Sequence, residues 1–263
     1  MHYILPVISI LLLWSPPASS AQGISEALER LSAPEDSDRV EAFYDLIGGL
    51  TPRAGDAVVE LLNRHPGERD AISVALIDLL ERETGHLYFP KTGVLKTGFD
   101  GYFGDLIWAV AALNDVRAVD ALMEVIGSGS LARDGVIAIG EPALPAILRD
   151  LDRADLDRDM SLIMALAEMS RILQLDNPAS THHDSARKQL VRATKAENPH
   201  LRIIAAEALS EFKHPEVESA MRTLARSDTA TRQVNGRTVY PVREVAQRWL
   251  ERHGSSRDQE GLR

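Results

Sequence analysis

Cysteine is absent from the 263 residues of this chain. Disulfides, thiolate metal ligands and cysteine nucleophiles are therefore excluded, and the apolar core alone must hold the fold. Aromatic residues are also scarce, at 5%, whereas hydrophobic residues make up 44% and charged residues 26% of the chain. This composition argues against extensive disorder and favours helices that pack through leucine and alanine.

An excess of basic charge is also lacking. The chain carries 39 acidic and 29 basic residues, which gives a formal net charge of −10. General nucleic-acid binding requires a basic surface, so we expect no nucleic-acid partner. After residue 14 no run is apolar enough to span a bilayer. We therefore expect no integral membrane association once the amino-terminal segment described next has been removed.

The amino terminus has the pattern of an export signal. Residues 4–14 are almost entirely apolar, and Pro16 and Pro17 end that run, which is shorter than the roughly 20 residues of a membrane-spanning helix. Ser19 and Ala21 stand at the minus-three and minus-one positions of a cleavage site. We predict that residues 1–21 form a cleaved signal peptide and that the mature protein is periplasmic or extracellular.

The rest of the chain repeats itself. Residues 201–209 and 242–250 carry an arginine, an alanine and a leucine at matching positions, and residues 131–142 follow the same pattern more loosely. The matching pairs are Arg202 and Arg243, Ala205 and Ala246, and Leu209 and Leu250. Apolar residues spaced by three and four bury one helix face, and a proline after a short turn begins the next helix. The repeating unit is therefore two helices joined by a tight turn.

These segments resemble HEAT repeats of the short bacterial form, most closely in residues 140–148, 199–209 and 240–250. The resemblance extends over about residues 51–254, with interruptions. It implies an all-α fold, a right-handed, armadillo-like α-solenoid of stacked antiparallel helix pairs. Such arrays usually present a concave surface to another protein or peptide.

We predict one domain over residues 22–254, with insertions at 85–104 and 229–241 and a flexible tail at 255–263. The predicted helices lie at 25–31, 39–50, 52–64, 70–83, 103–113, 116–126, 131–139, 142–151, 159–175, 185–196, 199–212, 215–225 and 242–252. We expect 52–64 to pair with 70–83, and the helices from 116–126 onward to pair consecutively.

The first insertion, predicted to be irregular, holds five of the ten Phe and Tyr residues of the chain. They are Tyr88, Phe89, Phe99, Tyr102 and Phe103. Aromatic residues among glycines and lysines are typical of a recognition loop, but the same rings would also fill a gap between two repeats. We expect a mixture of the two and treat all five as candidate partner-binding residues.

The second insertion predicts a small β-hairpin near residues 231–240. Asn235 and Gly236 lie between short β-prone runs, and Asn-Gly is the strongest two-residue hairpin signal because both positions need positive φ. The candidate partner-binding residues on this hairpin are Arg232, Arg237 and Tyr240. Arginines at such a position more often contact only solvent.

Catalytic motifs are missing: the sequence has no phosphate loop, zincin helix or Gly-x-Ser-x-Gly elbow. Residues 182–184 (HHD) resemble a metal cluster but offer too few converging ligands, and we interpret Asp184 or Ser185 as a helix N-cap. Residues 155–159 (DLDRD) lack the glycine and glutamate that a calcium loop needs farther along. We predict no cofactor, no metal and no catalytic residue.

The sequence therefore favours an exported, non-catalytic scaffold that binds another protein. Two alternatives stay open. One is an enzyme or accessory factor, because similar repeats occur in proteins resembling bilin lyases. The other is a cell-envelope element that self-associates.

Overall fold

The computed structural model describes residues 21–49, 53–154 and 160–253. The predicted signal peptide, calcium-like segment and tail fall outside these residues, apart from Ala21. The described chain is mostly helical, as predicted. Its helices are α1 (Ala21–Arg30), α2 (Asp36–Ile47), α3 (Ala54–Arg64), α4 (Arg69–Glu83), α5 (Asp100–Ala112), α6 (Val119–Glu124), α7 (Ser130–Ile139), α8 (Leu144–Leu151), α9 (Met160–Ile172), α10 (His183–Ala193), α11 (Pro199–Ala208), α12 (Pro215–Ser227) and α13 (Pro241–His253).

Helix starts follow local chemistry. Pro199 and Pro215 begin α11 and α12, where a missing N–H costs nothing, and the side chains of Asn198 and His214 accept the backbone N–H two residues on. Pro142 instead lies in a short 3₁₀ turn that precedes α8. The N-cap of α10 is His182, so the prediction of Asp184 or Ser185 at that position is wrong.

The helices pack in two series. In the odd series α3, α5, α7, α9, α11 and α13 each contact the next member, and in the even series α4, α6, α8, α10 and α12 do the same. Each even helix also packs against the odd helix that follows it. Because each even helix packs on the odd helix that follows it and the helices within each series contact one another, one continuous apolar core runs between the two series.

The predicted pairing of residues 52–64 with 70–83 is wrong. Helices α3 and α4 both pack mainly on α5 instead of on each other. Gly55 explains the close approach of α3, because a Cβ there would lie 2.5 Å from the Trp108 ring of α5. Gly135 of α7 likewise faces α5, where an added Cβ would lie 2.6 Å from the Cβ of Ala111.

In the described ranges two β-hairpins interrupt the helices, and each joins an even helix to the following odd helix. Strands β1 (Tyr88–Phe89) and β2 (Val94–Leu95) lie between α4 and α5. This short hairpin stands where the sequence predicted only irregular chain. Strands β3 (Arg232–Val234) and β4 (Arg237–Val239) lie between α12 and α13 and pair antiparallel. Asn235 and Gly236 take φ values of 50° and 75°, which confirms the hairpin prediction and its physical reason.

Among the described residues, no helix is both long and apolar enough to cross a membrane.

Candidate partner-binding groove

A depression of about 920 Å³ opens along the odd series, between α7, α9 and α11. We call it the groove. Its apolar floor consists of Ile137, Met164, Ala167, Ile204, Ala208 and Phe212. All of these side chains except that of Phe212 are partly exposed, so the groove offers apolar surface that no described residue covers. A depression of this size would accommodate several side chains of a partner.

The wall of the groove carries five carboxylates and two guanidinium groups. They are Asp134, Glu168, Asp176, Glu207 and Glu211, with Arg133 and Arg171. Both arginines already have a partner: Arg133 pairs with Asp134 at 3.0 Å, and Arg171 pairs with Glu168. The bond from Arg171 holds the pKa of the Glu168 carboxyl below its usual value. The remaining negative charge of the wall is therefore not balanced within the groove.

Two of those carboxylates have no ionic partner among the described residues. Glu211 pairs with Arg252 at 3.3 Å, whereas Asp176 and Glu207 form no ion pair. Asp176 follows the end of α9, and Glu207 lies on the exposed side of α11. They stand on neighbouring odd-series elements and both face the same depression.

A buried hydroxyl lies in the same wall. Ser170 of α9 is only 3% exposed, and its Oγ has no hydrogen-bond partner among the described residues. Leaving a buried hydroxyl unsatisfied costs about 1–3 kcal/mol. Such groups are rare in the interior and often mark a place where a ligand or solvent supplies the missing bond.

The groove continues toward the carboxyl-terminal helix. A second depression of about 170 Å³ lies between α11 and α13 and shares Glu207 and Ser210 with the groove. At its far side Trp249 is anchored, because its Nε1 donates to the carbonyl of Leu209 at 3.1 Å. Together the two depressions form one surface across four consecutive odd-series helices.

The aromatic residues of the first insertion mostly fill the core instead of facing a partner. Tyr88, Tyr102 and Phe103 are buried, and the Tyr88 ring stacks on that of Phe103 at 5.4 Å. They cannot contact a partner in this arrangement. Phe89 is 45% exposed, and Phe99 is partly buried beneath the Lys96 ammonium. Of the five candidates, Phe89 alone presents an open ring.

A buried charge network that the sequence did not predict holds this insertion in place. Arg39 Nε donates to Glu83 Oε1 at 2.8 Å, and the Tyr102 hydroxyl donates to the same oxygen at 3.3 Å. The hydrogen bond to Glu83 raises the pKa of Arg39. The pKa of Tyr102 is also raised, mainly because the hydroxyl is buried and secondly because the negative charge of Glu83 lies close to it. Asp36 then binds Lys96 and His86 of the insertion, each at 2.8 Å.

One signal in the sequence does point to this network. Arg39 precedes Ala42 and Leu46 with the same spacing that places Arg202 ahead of Ala205 and Leu209. Nη1 of each arginine donates to two backbone carbonyls of the loop before its helix. Each arginine also pairs with a carboxylate: Arg39 with Glu83 and Arg202 with Asp228.

The candidate residues of the second hairpin lie apart from the groove. Arg232 and Arg237 are exposed, and Tyr240 is 39% exposed with the Arg243 guanidinium 4.5 Å from its ring centre. None of the three lines the groove. The hairpin therefore forms a second exposed surface, with two cationic side chains.

The histidine pair has structural contacts. His183 Nδ1 lies 2.8 Å from the Leu175 carbonyl oxygen, and its ring stacks on Phe212. Asp184 pairs with Arg187 at 3.2 Å. Within the described ranges no cluster of three or more His, Asp or Glu side chains is arranged to hold a metal ion.

Comparison with protein-family models and with curated proteins finds no match to this chain.

Proposed function

We propose that the chain is a right-handed α-solenoid of HEAT type that binds another protein in the groove. The two helix series support the solenoid, because stacked pairs bring every second helix into contact. The resemblance of residues 199–209 and 240–250 to HEAT helices also supports the solenoid, because these segments correspond to α11 and α13 of the odd series.

The observation that carries the proposal is the uncovered apolar floor of the groove. Ile137, Met164 and Ile204 project from three successive odd helices into one depression, where neighbouring helices leave them partly exposed. Apolar side chains exposed together mark binding surfaces more often than single ones do. The charged wall around them resembles the polar rim of an interface.

From the predicted signal peptide we infer that this binding takes place outside the cytoplasm. Cleavage before Gln22 would release a mature protein that begins within the first turn of α1. The partner is then a protein of the periplasm, the cell surface or the medium.

Blocking the groove tests the proposal. In Ala167→Trp an indole replaces a methyl group on the groove floor. Ala138→Trp is the matched control, because Ala138 is exposed on α7 and does not line the groove. The full chain and both variants, each tagged, are expressed in the native host, and proteins bound to them are isolated and compared by mass spectrometry.

We expect a protein that copurifies with the wild type and with Ala138→Trp but is depleted at least tenfold with Ala167→Trp. Circular dichroism must show the same helix content and thermal midpoint for both variants. Equal capture by all three proteins, or capture by none, would contradict the groove as the binding surface. Size-exclusion chromatography of the same samples shows whether the captured protein is a second copy of the chain.

A further inference from the structure

The groove combines an apolar floor with a wall whose charge is unbalanced. Asp176 and Glu207 have no ionic partner within the part of the chain that the structure describes, whereas Arg133 and Arg171 already pair with carboxylates of their own helices. A neutral or acidic ligand placed here would leave these two carboxylates desolvated and unpaired, which costs affinity. A cationic ligand would gain from both of them.

The Ser170 hydroxyl provides an independent indication of a ligand. It is 3% exposed, it lies in the groove wall on α9, and its Oγ has no partner among the described residues. A hydroxyl both donates and accepts, so it suits the polar groups of a peptide chain. An entirely apolar ligand would leave it as unsatisfied as it is in the free protein.

From these observations we propose that the groove binds a basic segment of the partner protein, one in which apolar side chains alternate with lysine or arginine. This inference rests on the proposed function and names the chemistry of the partner. The apolar side chains enter the depression between α7, α9 and α11, and the cations reach Asp176 and Glu207.

Charge complementarity of this kind acts on both affinity and rate of association. The two carboxylates attract the segment over about a Debye length, roughly 8 Å at physiological ionic strength. The apolar contacts then determine how long the segment stays bound. Binding should therefore weaken with salt without being abolished by it.

Direct binding of synthetic peptides tests the inference. Three fluorescein-labelled peptides of about 12 residues are compared by fluorescence anisotropy with the full chain. One alternates Lys with Leu, one replaces every Lys by Glu, and one replaces every Leu by Ser. We expect the Lys–Leu peptide to bind at least tenfold more tightly than either of the others.

Charge-reversal variants locate the site. Asp176→Lys combined with Glu207→Lys reverses the two groove carboxylates that pair with no described residue. Glu26→Lys combined with Glu124→Lys changes the net charge equally, at exposed positions on α1 and α6 outside the groove. We expect a loss of affinity of about tenfold or more for the groove variant and of less than about twofold for the control.

Each other outcome is decisive. Equal losses in both variants would mean that net charge alone attracts the peptide, and tight binding of the Glu or Ser peptide would show that the groove does not select this chemistry. Both results would overturn the inference. If none of the peptides binds while Ala167→Trp still loses a protein captured from the host, the inference fails and the proposed function stands. Failure of both experiments rejects both.

Discussion

Arg39 and Glu83 form a buried ion pair that joins two helices 44 residues apart in sequence. Their side chains are 3% and 1% exposed, and two nitrogens of the guanidinium face the two carboxylate oxygens at 2.8 and 3.3 Å. The third nitrogen, Nη1, donates to the carbonyls of Ala33 and Pro34, and Nη2 also donates to the carboxylate of Asp36. With the Tyr102 hydroxyl, this pair fixes α2, α4 and α5 relative to one another.

Removing one member of this pair should be costly. In Glu83→Gln the buried Arg39 guanidinium loses its buried counter-ion and keeps only the carboxylate of Asp36, and we expect a loss of about 3–5 kcal/mol in the free energy of unfolding. Chemical denaturation monitored by circular dichroism measures it. Glu60→Gln is the matched control, because the Glu60–Arg64 pair is exposed and is worth only about 0.3–0.5 kcal/mol. Similar costs for the two variants would refute the structural role of the buried pair.

Acid should weaken the attachment of the first insertion through Asp36. Hydrogen bonds from Lys96 and then His86 hold the pKa of Asp36 well below its ordinary value of 3.8. The pKa of Asp36 is lower in the folded protein than in the unfolded chain, so its ionised carboxylate stabilises the fold at any pH above the unfolded-state pKa. This stabilisation is lost as the pH falls from the unfolded-state pKa toward the folded-state pKa. The stability difference between the wild type and Asp36→Asn should be fully present at about pH 5 and should shrink below about pH 4.

Thermal unfolding of both proteins from about pH 5 to about pH 2.5 measures this difference. Asp38→Asn is the control, since Asp38 lies in the same first turn of α2 and is exposed. A difference for Asp36→Asn that stays constant over the whole acid range would contradict the role assigned to its ion pairs.

The close approach of α7 to α5 depends on a missing side chain. In Gly135→Ala the new Cβ would lie 2.6 Å from the Cβ of Ala111, so the helices must separate. We expect a loss of about 1–3 kcal/mol despite the better helix propensity of alanine. Gly104→Ala in α5 meets nothing within 4 Å and should stabilise the protein by about 0.5–1 kcal/mol. A gain in both variants would show that α5 and α7 do not pack this closely.

The unsatisfied Ser170 hydroxyl predicts a substitution that does no harm to the fold. Ser170→Ala removes a buried polar group that has no hydrogen-bond partner among the described residues, so the free energy of unfolding should stay unchanged or rise by up to about 1 kcal/mol. Thr194→Val removes a buried hydroxyl that donates to the Val191 carbonyl at 2.7 Å, and it should cost about 1 kcal/mol. Destabilisation by Ser170→Ala equal to that by Thr194→Val would mean that Ser170 already has a bonding partner in the free protein.

Local patterns in the sequence predicted the helices and the second hairpin well. The spacing of apolar residues placed α11 and α13, and Asn235-Gly236 placed the turn between β3 and β4. These features depend on neighbours within a few positions, where propensity and periodicity act. The proline after each short turn also marked the starts of α11 and α12.

Relationships between distant residues were not predictable in the same way. The Arg39–Glu83 pair spans 44 positions, and the groove draws on α7, α9 and α11 at once. The rings of the insertion show the same limit, since Phe89 and Phe103 have the same side chain and yet only Phe103 is buried. Their difference depends on where α5 meets the preceding helices.

Site-specific photocross-linking in the native host is the most direct measurement of partner binding in the groove. A photoreactive phenylalanine analogue replaces Met164 on the groove floor in one protein and Val59, which is 44% exposed on α3, in another. We expect a specific covalent adduct with a second protein from position 164 and none from position 59. No adduct at position 164, or the same adducts from both positions, would contradict it.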